Sequence, residues 1–588
     1  MKHIIKLIED GAWERALEEF LQYVDNEHIR SHSPEGGELY ILGATIMEHF
    51  EQYDSMFYFI EEGLKIDPCN YELYVLLGNY YYCIGNIDQT YLAYENAYYQ
   101  SYIADHKEDC ESIKSLIDEL CLNNAIGIKN VSFVILSYNT LDYTTACIES
   151  IRNTCYKDCY EIVVVENGSS DGSVQWLRRQ KDIILVENNE NVGFPAGCNQ
   201  GINAASPEND IFLLNSDALM MPGSLFWLRM GLYKDKSTGA TGAITNYAGN
   251  DQMVKERFDK LEEYVGFSQR INIPLKNPYE SKSYLVMFAM LIKRDVLNMV
   301  GMLDVRFTPG NFEDNDYGMR LHKAGFDCVL CHNCFIYHFG SKSFRKDEDK
   351  YYSIFKENSE KFKRKWGFSS HYYTQSRIDE IEMIKASSED RISVLEIGCG
   401  LGGTLEKIRY LYPKADVHGI ESEKQVAAIG SKRYDVILAD IEAYQPDDRK
   451  YDYILFSDVL DNCGSPEKIL SKMKNHLKVD GYVIANVSNA MNASVIHDLM
   501  TGNTINFDAE LPKRPVRLFT LNEIKKIFID TGFCIDNITF SILPEKSTSA
   551  FREFFDELLK VEGVADKSLF DVRQFIIRAS LRHELLSN

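Results

Sequence analysis

Apolar residues follow two different periodic patterns along the 588 residues of the chain. Over residues 1–125 they recur at the three- and four-residue spacing of helices, with many aromatic side chains among them. From Val131 the pattern changes to short apolar runs rich in β-branched residues, each followed by polar turn residues and a helical stretch. The same alternation recurs from Ile392 onward. The pattern predicts a multidomain protein in which an α-helical region precedes two α/β domains with parallel sheets.

The boundaries of the predicted domains follow these changes of pattern. The helical region covers 1–125, the first α/β domain 131–368 and the second 391–545. The polar stretch 369–390 favours a linker, and 546–588 is predicted to form a helical tail that caps the last domain. Ligands of open parallel sheets bind at the carboxyl ends of the strands, so the residues that follow each apolar run are the candidates for chemistry.

Two segments of the helical region have similar sequences. Gly43 and Gly78 are 35 residues apart, close to the 34-residue period of tetratricopeptide repeats. The pattern W-x2-L-G-x2-Y, with Tyr in place of Trp, fits Tyr74, Leu77, Gly78 and Tyr81. The region therefore resembles a short tetratricopeptide array of two to three helix pairs, whose concave face would bind protein partners. The alternative is a helical bundle that only packs on its neighbour.

Composition and charge exclude several classes of protein. Hydrophobic residues make up 45% and charged residues 26%, as in ordinary globular proteins. The 88 acidic residues outnumber the 63 basic ones, and the net charge of −25 disfavours non-specific binding to nucleic acid or to anionic lipid. No apolar run approaches the ~18 residues of a membrane span. The 14 cysteines are scattered singly, which predicts reduced thiols and a cytoplasmic location.

Polar segments follow the predicted strands of the first α/β domain in a fixed order. They contain Ser137, Tyr138 and Asn139; Glu166 and Asn167; Asn191, Gly193 and Asn199; and Asn215 and Asp217. An acidic run then covers 313–316, a histidine-glycine-serine segment covers 338–343, and Lys-Trp-Gly ends the domain at 365–367. The series resembles inverting family 2 glycosyltransferases of the GT-A fold, including rhamnosyltransferase-like members, over 131–368.

This resemblance implies a nucleotide-sugar donor, a UDP-sugar, with UDP-N-acetylglucosamine as the best single choice. The implied donor-binding residues are the ten named above together with Lys342. Glu166 and Asn167 stand where the family contacts uracil and ribose, and Asn139 with the loop 191–199 would close the base pocket. Asp171 fits a helix cap better than a donor contact.

The same resemblance implies a divalent cation at the donor diphosphate. Mn²⁺ or Mg²⁺ would neutralise the leaving group, and both ions prefer carboxylate oxygens. Asp217 and His338 are the implied metal ligands. Asn215 stands where the usual D-x-D has its first aspartate, so that carboxylate is absent. The alternative for His338 is a structural histidine beside a glycine turn.

Inversion of a sugar requires one direct displacement, in which a base removes the proton of the acceptor hydroxyl. The resemblance implies that Asp314 is this base and that Glu313 shapes the pocket. Asp316 is predicted to stabilise the start of the following helix. The alternative for three acids within four residues is a solvated acidic turn.

The second α/β domain opens with a glycine-rich turn. Its candidate cofactor-binding residues are Glu396, Gly398, Gly400, Gly402, Glu421, Asp440, Ile441 and Asp458. The turn fits both G-x-G-x-x-G and E-x-G-x-G, and Glu421 lies where either nucleotide fold has a ribose-binding acid. A carboxylate at the turn would repel the pyrophosphate of a dinucleotide, whereas S-adenosylmethionine carries positive charges and no phosphate. The domain therefore resembles class I methyltransferases and implies S-adenosylmethionine as cofactor.

These features lead to one hypothesis and its rivals. A repeat fused to a transferase resembles bacterial flagellin-modifying glycosyltransferases, which implies a protein acceptor such as flagellin and a methyltransferase that acts on the glycan. The rival enzyme is a surface-polysaccharide glycosyltransferase with a glycan acceptor. The rival from another class is a non-catalytic scaffold. The alternative for the second domain is that it binds its cofactor without turnover.

Overall fold

The computed structural model describes residues 1–26, 36–340, 348–445, 447–502, 517–542, 549–563 and 566–582. The chain forms two compact units, Met1–Asn358 and Ser359–Asn588. Within the described ranges, no helix is both long and apolar enough to cross a membrane.

Helices alone form the start of the first unit. They are α1 (Lys2–Glu9), α2 (Trp13–Asn26), α3 (Gly36–His49), α4 (Tyr53–Ile66), α5 (Tyr71–Cys83), α6 (Ile87–Ile103) and α7 (Lys107–Asn123). Asn70 and Asn86 cap α5 and α6, because each side chain accepts a hydrogen bond from the amide three residues later, at 3.1 Å. Gly43 and Gly78 allow neighbouring helices to approach closely, since a Cβ there would lie 2.7 Å from Phe59 and 2.3 Å from Tyr94.

These helices share a hydrophobic core with the α/β domain that follows. Tyr74 of α5 packs edge-on against Phe226, with ring centroids 5.5 Å apart. Gln89 of α6 donates a hydrogen bond of 2.9 Å to the carbonyl of Met230. Because the core is continuous, the helices and the α/β domain form one packed unit.

The α/β domain of the first unit follows the predicted alternation of strands and helices. Its elements are β1 (Val131–Ser137), α8 (Leu141–Thr154), β2 (Tyr160–Asn167), α9 (Ser173–Leu177), β3 (Ile183–Asn188), α10 (Phe194–Ala204), β4 (Asp210–Asn215), β5 (Ala218–Leu219), α11 (Ser224–Leu232), β6 (Thr238–Ile244), α12 (Leu261–Ile271), β7 (Tyr279–Lys282), β8 (Ala289–Ile292), α13 (Arg294–Val300), α14 (Glu313–Lys323), β9 (Asp327–Phe335) and β10 (Tyr337–His338). Helix α15 (Glu348–Trp366) begins in this unit, and its residues from Ser359 onward belong to the second.

The main sheet of this unit has the strand order β3-β2-β1-β4-β8-β6-β9-β7. Strands β1 to β4 are parallel, and β8 pairs antiparallel with both β4 and β6. Their buried faces carry the β-branched and aromatic residues that predicted them. The carboxyl ends of β1, β2 and β4 therefore meet at one edge of the sheet, where the predicted donor residues follow.

The second unit contains the elements of the second α/β domain. They are α16 (Ser370–Tyr373), α17 (Ile378–Ile381), β11 (Ser393–Ile397), α18 (Gly403–Leu411), β12 (Asp416–Glu421), α19 (Lys424–Gly430), β13 (Asp435–Leu438), β14 (Tyr451–Phe456), α20 (Pro466–Met473), β15 (Leu477–Ser488), α21 (Ala493–Thr501), α22 (Leu521–Asp530), β16 (Phe533–Ile542), α23 (Ser549–Leu558) and β17 (Val572–Leu581). The predicted order of a helical region and two α/β domains is confirmed.

The predicted helical tail is wrong for its last part. Residues Ser549–Leu558 form helix α23, but Val572–Leu581 form strand β17. The sheet has the order β13-β12-β11-β14-β15-β17-β16, and β17 pairs antiparallel with both of its neighbours. Phe575, Ile576 and Ile577 are fully or almost fully buried. The run is therefore a central strand buried on both faces, and the methyltransferase-like domain extends beyond residue 545.

The predicted linker 369–390 is also wrong, because this segment folds onto the second unit. Tyr373, Ile381 and Met383 are buried, and the last two belong to the core that packs on β11 and β14. The segment has a polar composition because it is rich in Ser, Gln and acidic residues. Only its few apolar residues indicate that it packs on a core.

Candidate active sites

Two short strands bring Asp217 and His338 together in the first unit. Strand β10 pairs antiparallel with β5, so that His338 lies opposite Ala218, the residue after Asp217. His338 Nε2 is 3.2 Å from Asp217 Oδ1. Asn246 fixes the backbone of His338, since it receives its amide hydrogen at 2.8 Å and donates to its carbonyl at 3.0 Å. The ring of Phe288 stacks on the imidazole with centroids 5.1 Å apart.

The hydrogen bonds of His338 show that this pair fits a cation. Its Nδ1 is 2.9 Å from the carbonyl oxygen of Tyr247, so Nδ1 carries a hydrogen and donates it. In the neutral ring Nε2 then directs a lone pair at the carboxylate of Asp217, and the two groups repel unless a proton or a metal ion lies between them. Carboxylate oxygen and imidazole nitrogen are both ligands of Mn²⁺. Asp217 and His338 are therefore suited to hold a divalent cation.

The remaining ligands of such an ion would not be carboxylates of this site. Among the described residues, no group of three or more His, Cys, Asp or Glu side chains is placed to hold a metal. The backbone amide of Asn215, at the end of β4, donates to the carbonyl of Phe288 at 2.8 Å. Phosphate oxygens of the donor and water would have to complete the coordination.

The loops after β1 and β2 are joined by the residues that sequence analysis selected. Asn139 adopts a left-handed backbone (φ 52°) and its Oδ1 accepts a hydrogen bond of 2.8 Å from the amide of Ser170. Asp171 accepts from Leu141, the first residue of α8, and from Ser173, the first residue of α9. The sequence predicts the contact with the following helix α9, and the contact with the start of α8 is additional. These hydrogen bonds also lower the pKa of Asp171.

Two predicted donor-binding residues, Glu166 and Asn167, form hydrogen bonds to residues of the loops in which they lie or of the adjacent loop. Glu166 is fully buried, and its carboxylate accepts hydrogen bonds from the amides of Gly168 and Ser169. Asn167 donates to Asn191 Oδ1 at 2.9 Å, which ties together the loops after β2 and β3.

Other predicted donor residues lie at the same edge with different surroundings. Ser137 is fully buried and shares a hydrogen bond of 2.9 Å with Thr144, whereas Tyr138 is partly exposed. Asn199 exchanges hydrogen bonds with the backbone of Leu303, and Gly193 (φ 84°) lies against Thr308. Lys342 lies outside the described residues.

The acidic run lies at the start of helix α14. Glu313 is buried and its Oε2 has no hydrogen-bond partner, while Asp314 is half-buried. Burial raises the pKa of Asp314 to about 6, and burial together with the charge of Asp314 raises the pKa of Glu313 well above its usual range. Asp316 is fully buried and pairs with Arg320 at 2.9 Å, so its role is structural. The run is therefore not a solvated acidic turn.

Residues 283–288 connect the acidic run to the Asp217–His338 pair. Gly318 of α14 packs against the backbone of Ser283 and Tyr284, which leaves no room for a side chain there. At the other end of the segment, Phe288 contacts both His338 and Asn215, as described above. The two candidate groups thus flank one segment of the first unit.

The glycine-rich turn of the second unit has the backbone that its sequence predicts. Gly398, Gly400 and Gly402 all have φ between 57° and 92°. Glu421 accepts hydrogen bonds from the amides of Gly400 at 3.0 Å and Glu423 at 2.7 Å, so it holds the turn to the end of β12.

A group of buried acids lies beside this turn. Glu396 accepts a hydrogen bond of 3.0 Å from the hydroxyl of Ser457 through one oxygen, and its Oε2 has no hydrogen-bond partner. Burial raises the pKa of Glu396 to about 7. Asp458 pairs with Arg377 and accepts from Asn486 at 3.0 Å. Unpartnered buried carboxylate oxygen fits a cationic ligand, as in the ammonium and sulfonium of S-adenosylmethionine, and does not fit a pyrophosphate.

Two charged residues of this site, Arg377 and Glu380, lie in the segment 369–390 that the sequence predicts to be a linker. Arg377 pairs with Asp458, and Glu380 is fully buried, with its Oε2 2.8 Å from the hydroxyl oxygen of Ser457 that also contacts Glu396. The spacing of Ile378 and Ile381 was the only signal of structure in that stretch. Asp440 and Ile441 follow β13, where Asp440 is exposed and accepts from the amide of Glu442, and Ile441 is buried.

Family models match part of each α/β domain. Residues 132–298 match the model of "Glycosyl transferase family 2", and residues 370–537 match that of "Methyltransferase domain". The second match begins within the predicted linker, in agreement with the structure. Each match covers less than half of the chain.

Curated relatives agree with these two assignments. "Glycosyltransferase AglE" of Haloferax volcanii is 26% identical over 212 residues, which are 34% of this chain and 64% of that protein. "Malonyl-[acyl-carrier protein] O-methyltransferase" of Bacillus anthracis is 27% identical over 103 residues, which are 17% of this chain and 38% of that protein. The chain thus spans less than two thirds of the length of either relative.

Among solved structures, the mannosyltransferase PcManGT from Pyrobaculum calidifontis in complex with GDP-Man and Mn²⁺ is 15% identical. The match covers 44% of this chain and 70% of that protein, with a TM-score of 0.28. This score is too low to support an argument about this chain.

Proposed function

We propose that this chain, which contains a family 2 glycosyltransferase domain and a methyltransferase domain, transfers a sugar from a nucleotide donor to a hydroxyl with inversion. The observation that carries the proposal is the Asp217–His338 pair at the edge where the parallel strands end, with a carboxyl group of raised pKa on the adjoining helix. A scaffold would have no need to keep Asp217 and His338 buried as a pair or to raise the pKa of Asp314.

In this mechanism Asp314 acts as the general base. At neutral pH its carboxylate is ionised, and a pKa of about 6 makes it a better proton acceptor than an ordinary aspartate. It would take the proton of the acceptor hydroxyl while that oxygen attacks the anomeric carbon. Glu313, whose pKa is raised further, would stay protonated beside it, so that Asp314 carries the charge of the pair.

Asp217 and His338 would hold Mn²⁺ or Mg²⁺ against the donor diphosphate. Such an ion supplies Lewis-acid stabilisation of the negative charge on the leaving group. Asn139 and the linked loops after β2 and β3 would form the nucleotide pocket. We propose a UDP-sugar, with UDP-N-acetylglucosamine as the first donor to test, on the ground of the resemblance to family 2 glycosyltransferases.

The second unit would bind S-adenosylmethionine and transfer its methyl group, with the glycan as the proposed acceptor. Glu396 would attract the ammonium group of the cofactor, Glu421 its ribose, and Asp440 with Ile441 its adenine. The unpartnered oxygen of Glu396 supports a cationic ligand. The two activities in one chain would then modify the same product.

We propose that the acceptor is a protein such as flagellin in a bacterial cytoplasm, and that the helices form a tetratricopeptide array that recruits it. Gly43 and Gly78 support the repeat, because each lies against an aromatic ring 16 positions further along the chain, Phe59 and Tyr94 respectively. Equivalent contacts at equivalent spacing are what repeated helix pairs produce.

The test is an incubation of the purified protein with a panel of nucleotide sugars, Mn²⁺ and flagellin, followed by measurement of released nucleotide and of the mass of the acceptor. We expect nucleotide release from one donor class and a matching mass increase, with a further methyl mass when S-adenosylmethionine is added. Transfer only to a glycan would favour a polysaccharide enzyme, and no release with any donor would contradict the proposal.

A further inference from the structure

A cavity of about 930 Å³ lies between the N-terminal helices and the α/β domain of the first unit. Helix α6 forms one wall, and the end of α8, the start of α11 and the end of α12 form the others. Its volume is at the upper end of the 300–1,000 Å³ that is typical of small-molecule sites.

This cavity is separate from the proposed transfer site. Its residues include Tyr156 to Cys159, which directly precede β2 at its amino end. Glu166, Asn167 and the other candidate donor residues follow the carboxyl ends of the strands. Since β1, β2 and β4 are parallel, the two sites lie at opposite edges of the sheet.

Aromatic rings and amide side chains alternate on the walls. Tyr99 and Tyr156 stack with centroids 4.1 Å apart and planes at 12°. Gln100 donates to the hydroxyl of Tyr156 at 2.8 Å, and this hydroxyl donates to Asn96 at 3.1 Å. At the rim Tyr102 is 69% exposed. The surface therefore offers flat apolar faces next to hydrogen-bonding groups whose positions are fixed.

Charged residues of both signs line the cavity, and two of them, the exposed Lys157 and Asp158, are adjacent and opposite in charge. Arg229, almost fully buried, pairs with Glu95, and Arg152 pairs with Glu149 and Asp182 at 2.6 Å each. The two arginines already have counter-ions, and the charges of Lys157 and Asp158 cancel, so the walls carry no net charge that would favour a charged ligand. A wholly apolar ligand would make no use of the amide and phenol groups of the walls. The wall chemistry therefore selects a neutral ligand with apolar faces and polar edges.

We propose that this cavity binds a short neutral oligosaccharide, at a site distinct from the transfer site. Sugar rings present C–H faces that pack on tyrosine rings and hydroxyl edges that bond to amides. None of the residues that line the cavity belongs to a strand, so a peptide could not bind here by extending a sheet. The site would retain a glycan that the chain has built or is about to extend.

Binding is tested on the full chain without donor, by saturation-transfer NMR with a panel of neutral di- and trisaccharides of hexoses, N-acetylhexosamines and deoxyhexoses. We expect at least one of them to bind, and UDP with Mn²⁺ not to displace it. Tyr102→Ala should weaken binding by about three- to tenfold, the range that loss of one aromatic contact produces. Tyr82→Ala, a change of another exposed tyrosine that does not line the cavity, should leave binding unchanged.

Failure of all panel members to bind would overturn the proposal, as would displacement by UDP or equal effects of the two variants. Binding of a peptide that Tyr102→Ala abolishes, without any glycan binding, would assign the cavity to a protein partner instead. Because no donor is present, these results do not depend on whether the chain transfers sugar.

Discussion

Single carboxylates determine what the two candidate sites can do. Asp314 lies beside the buried Glu313, and the raised pKa of Asp314 places its titration near pH 6 rather than near 4. A base must be ionised to accept a proton, so activity should be lost as the pH falls through the pKa of this group.

We therefore expect kcat of the wild-type protein to fall below about pH 6. Asp314→Asn should lower kcat by about a hundred- to ten-thousandfold and leave donor affinity almost unchanged, because the variant keeps the shape of the side chain but cannot accept the proton. Steady-state rates between pH 5 and 8 test this. Asp295→Asn, in the first turn of α13 and exposed, is the matched control. Lost donor binding with surviving transfer would make Asp314 a donor-binding or structural residue.

Asp217 and His338 should act as one unit. We expect Asp217→Ala to slow metal-dependent transfer by more than about a hundredfold, since a Lewis-acid contribution of several kcal/mol is removed. His338→Ala should have a comparable effect, and the double variant should be little worse than either single one. Titration of Mn²⁺ against donor turnover measures this. Turnover close to wild type in Asp217→Ala would rule out the metal role.

Glu396 gives the second unit a distinct pH dependence. Its pKa in the cofactor-free protein is about 7, and only the ionised carboxyl attracts a cationic cofactor. Affinity for S-adenosylmethionine should therefore drop by about tenfold when the pH falls from 8 to 6. In Glu396→Gln the affinity should be weaker and independent of pH, whereas the exposed Glu389→Gln should behave as wild type. Calorimetry at several pH values measures the affinity for S-adenosylmethionine. The same pH dependence in wild type and Glu396→Gln would contradict the role of Glu396.

At the scale of elements, the strands that could be predicted from the sequence are those that share one simple pattern. Strands β1, β2, β4, β11, β12 and β14 are short apolar runs followed by turn residues, and all of them were predicted. The strand β17 was missed because its run of Phe575 to Ile577 follows a helical stretch and lacks the turn that marks the other strands. The role of Glu166 could not be predicted, because its hydrogen bonds to Gly168 and Ser169 depend on a turn geometry that composition does not reveal.

The position of β17 between β15 and β16 predicts a local effect on stability. Ile577→Asp would place a charge in a fully buried site, which costs several kcal/mol without a partner. We expect the second unit to unfold and binding of S-adenosylmethionine to be lost, while nucleotide-sugar turnover remains. Circular dichroism melting and calorimetry measure the two effects. An exposed position of the same strand, Arg573→Asp, is the control.

At the scale of the whole molecule, the two units should differ in how they tolerate truncation. The helices before residue 125 share a core with the glycosyltransferase domain, so a chain that begins at 126 should expose Phe226 and lose its tight packing. A chain of residues 359–588 has its own cores and should fold and bind S-adenosylmethionine. Thermal unfolding of the two truncated chains tests this, and equal stability of the 126-start chain and the full chain would contradict it.

The strand order of the second sheet also determines when this unit can be completed during synthesis. Strand β15 is made first, β16 follows some 45 residues later, and β17, which must lie between them, emerges last of the three. Until then, the backbone edges of β15 and β16 that pair with β17 are open and can pair with other nascent chains. Ribosome pausing or chaperone binding over residues 543–572 would therefore decide the yield of the methyltransferase domain, whereas the first unit is already complete.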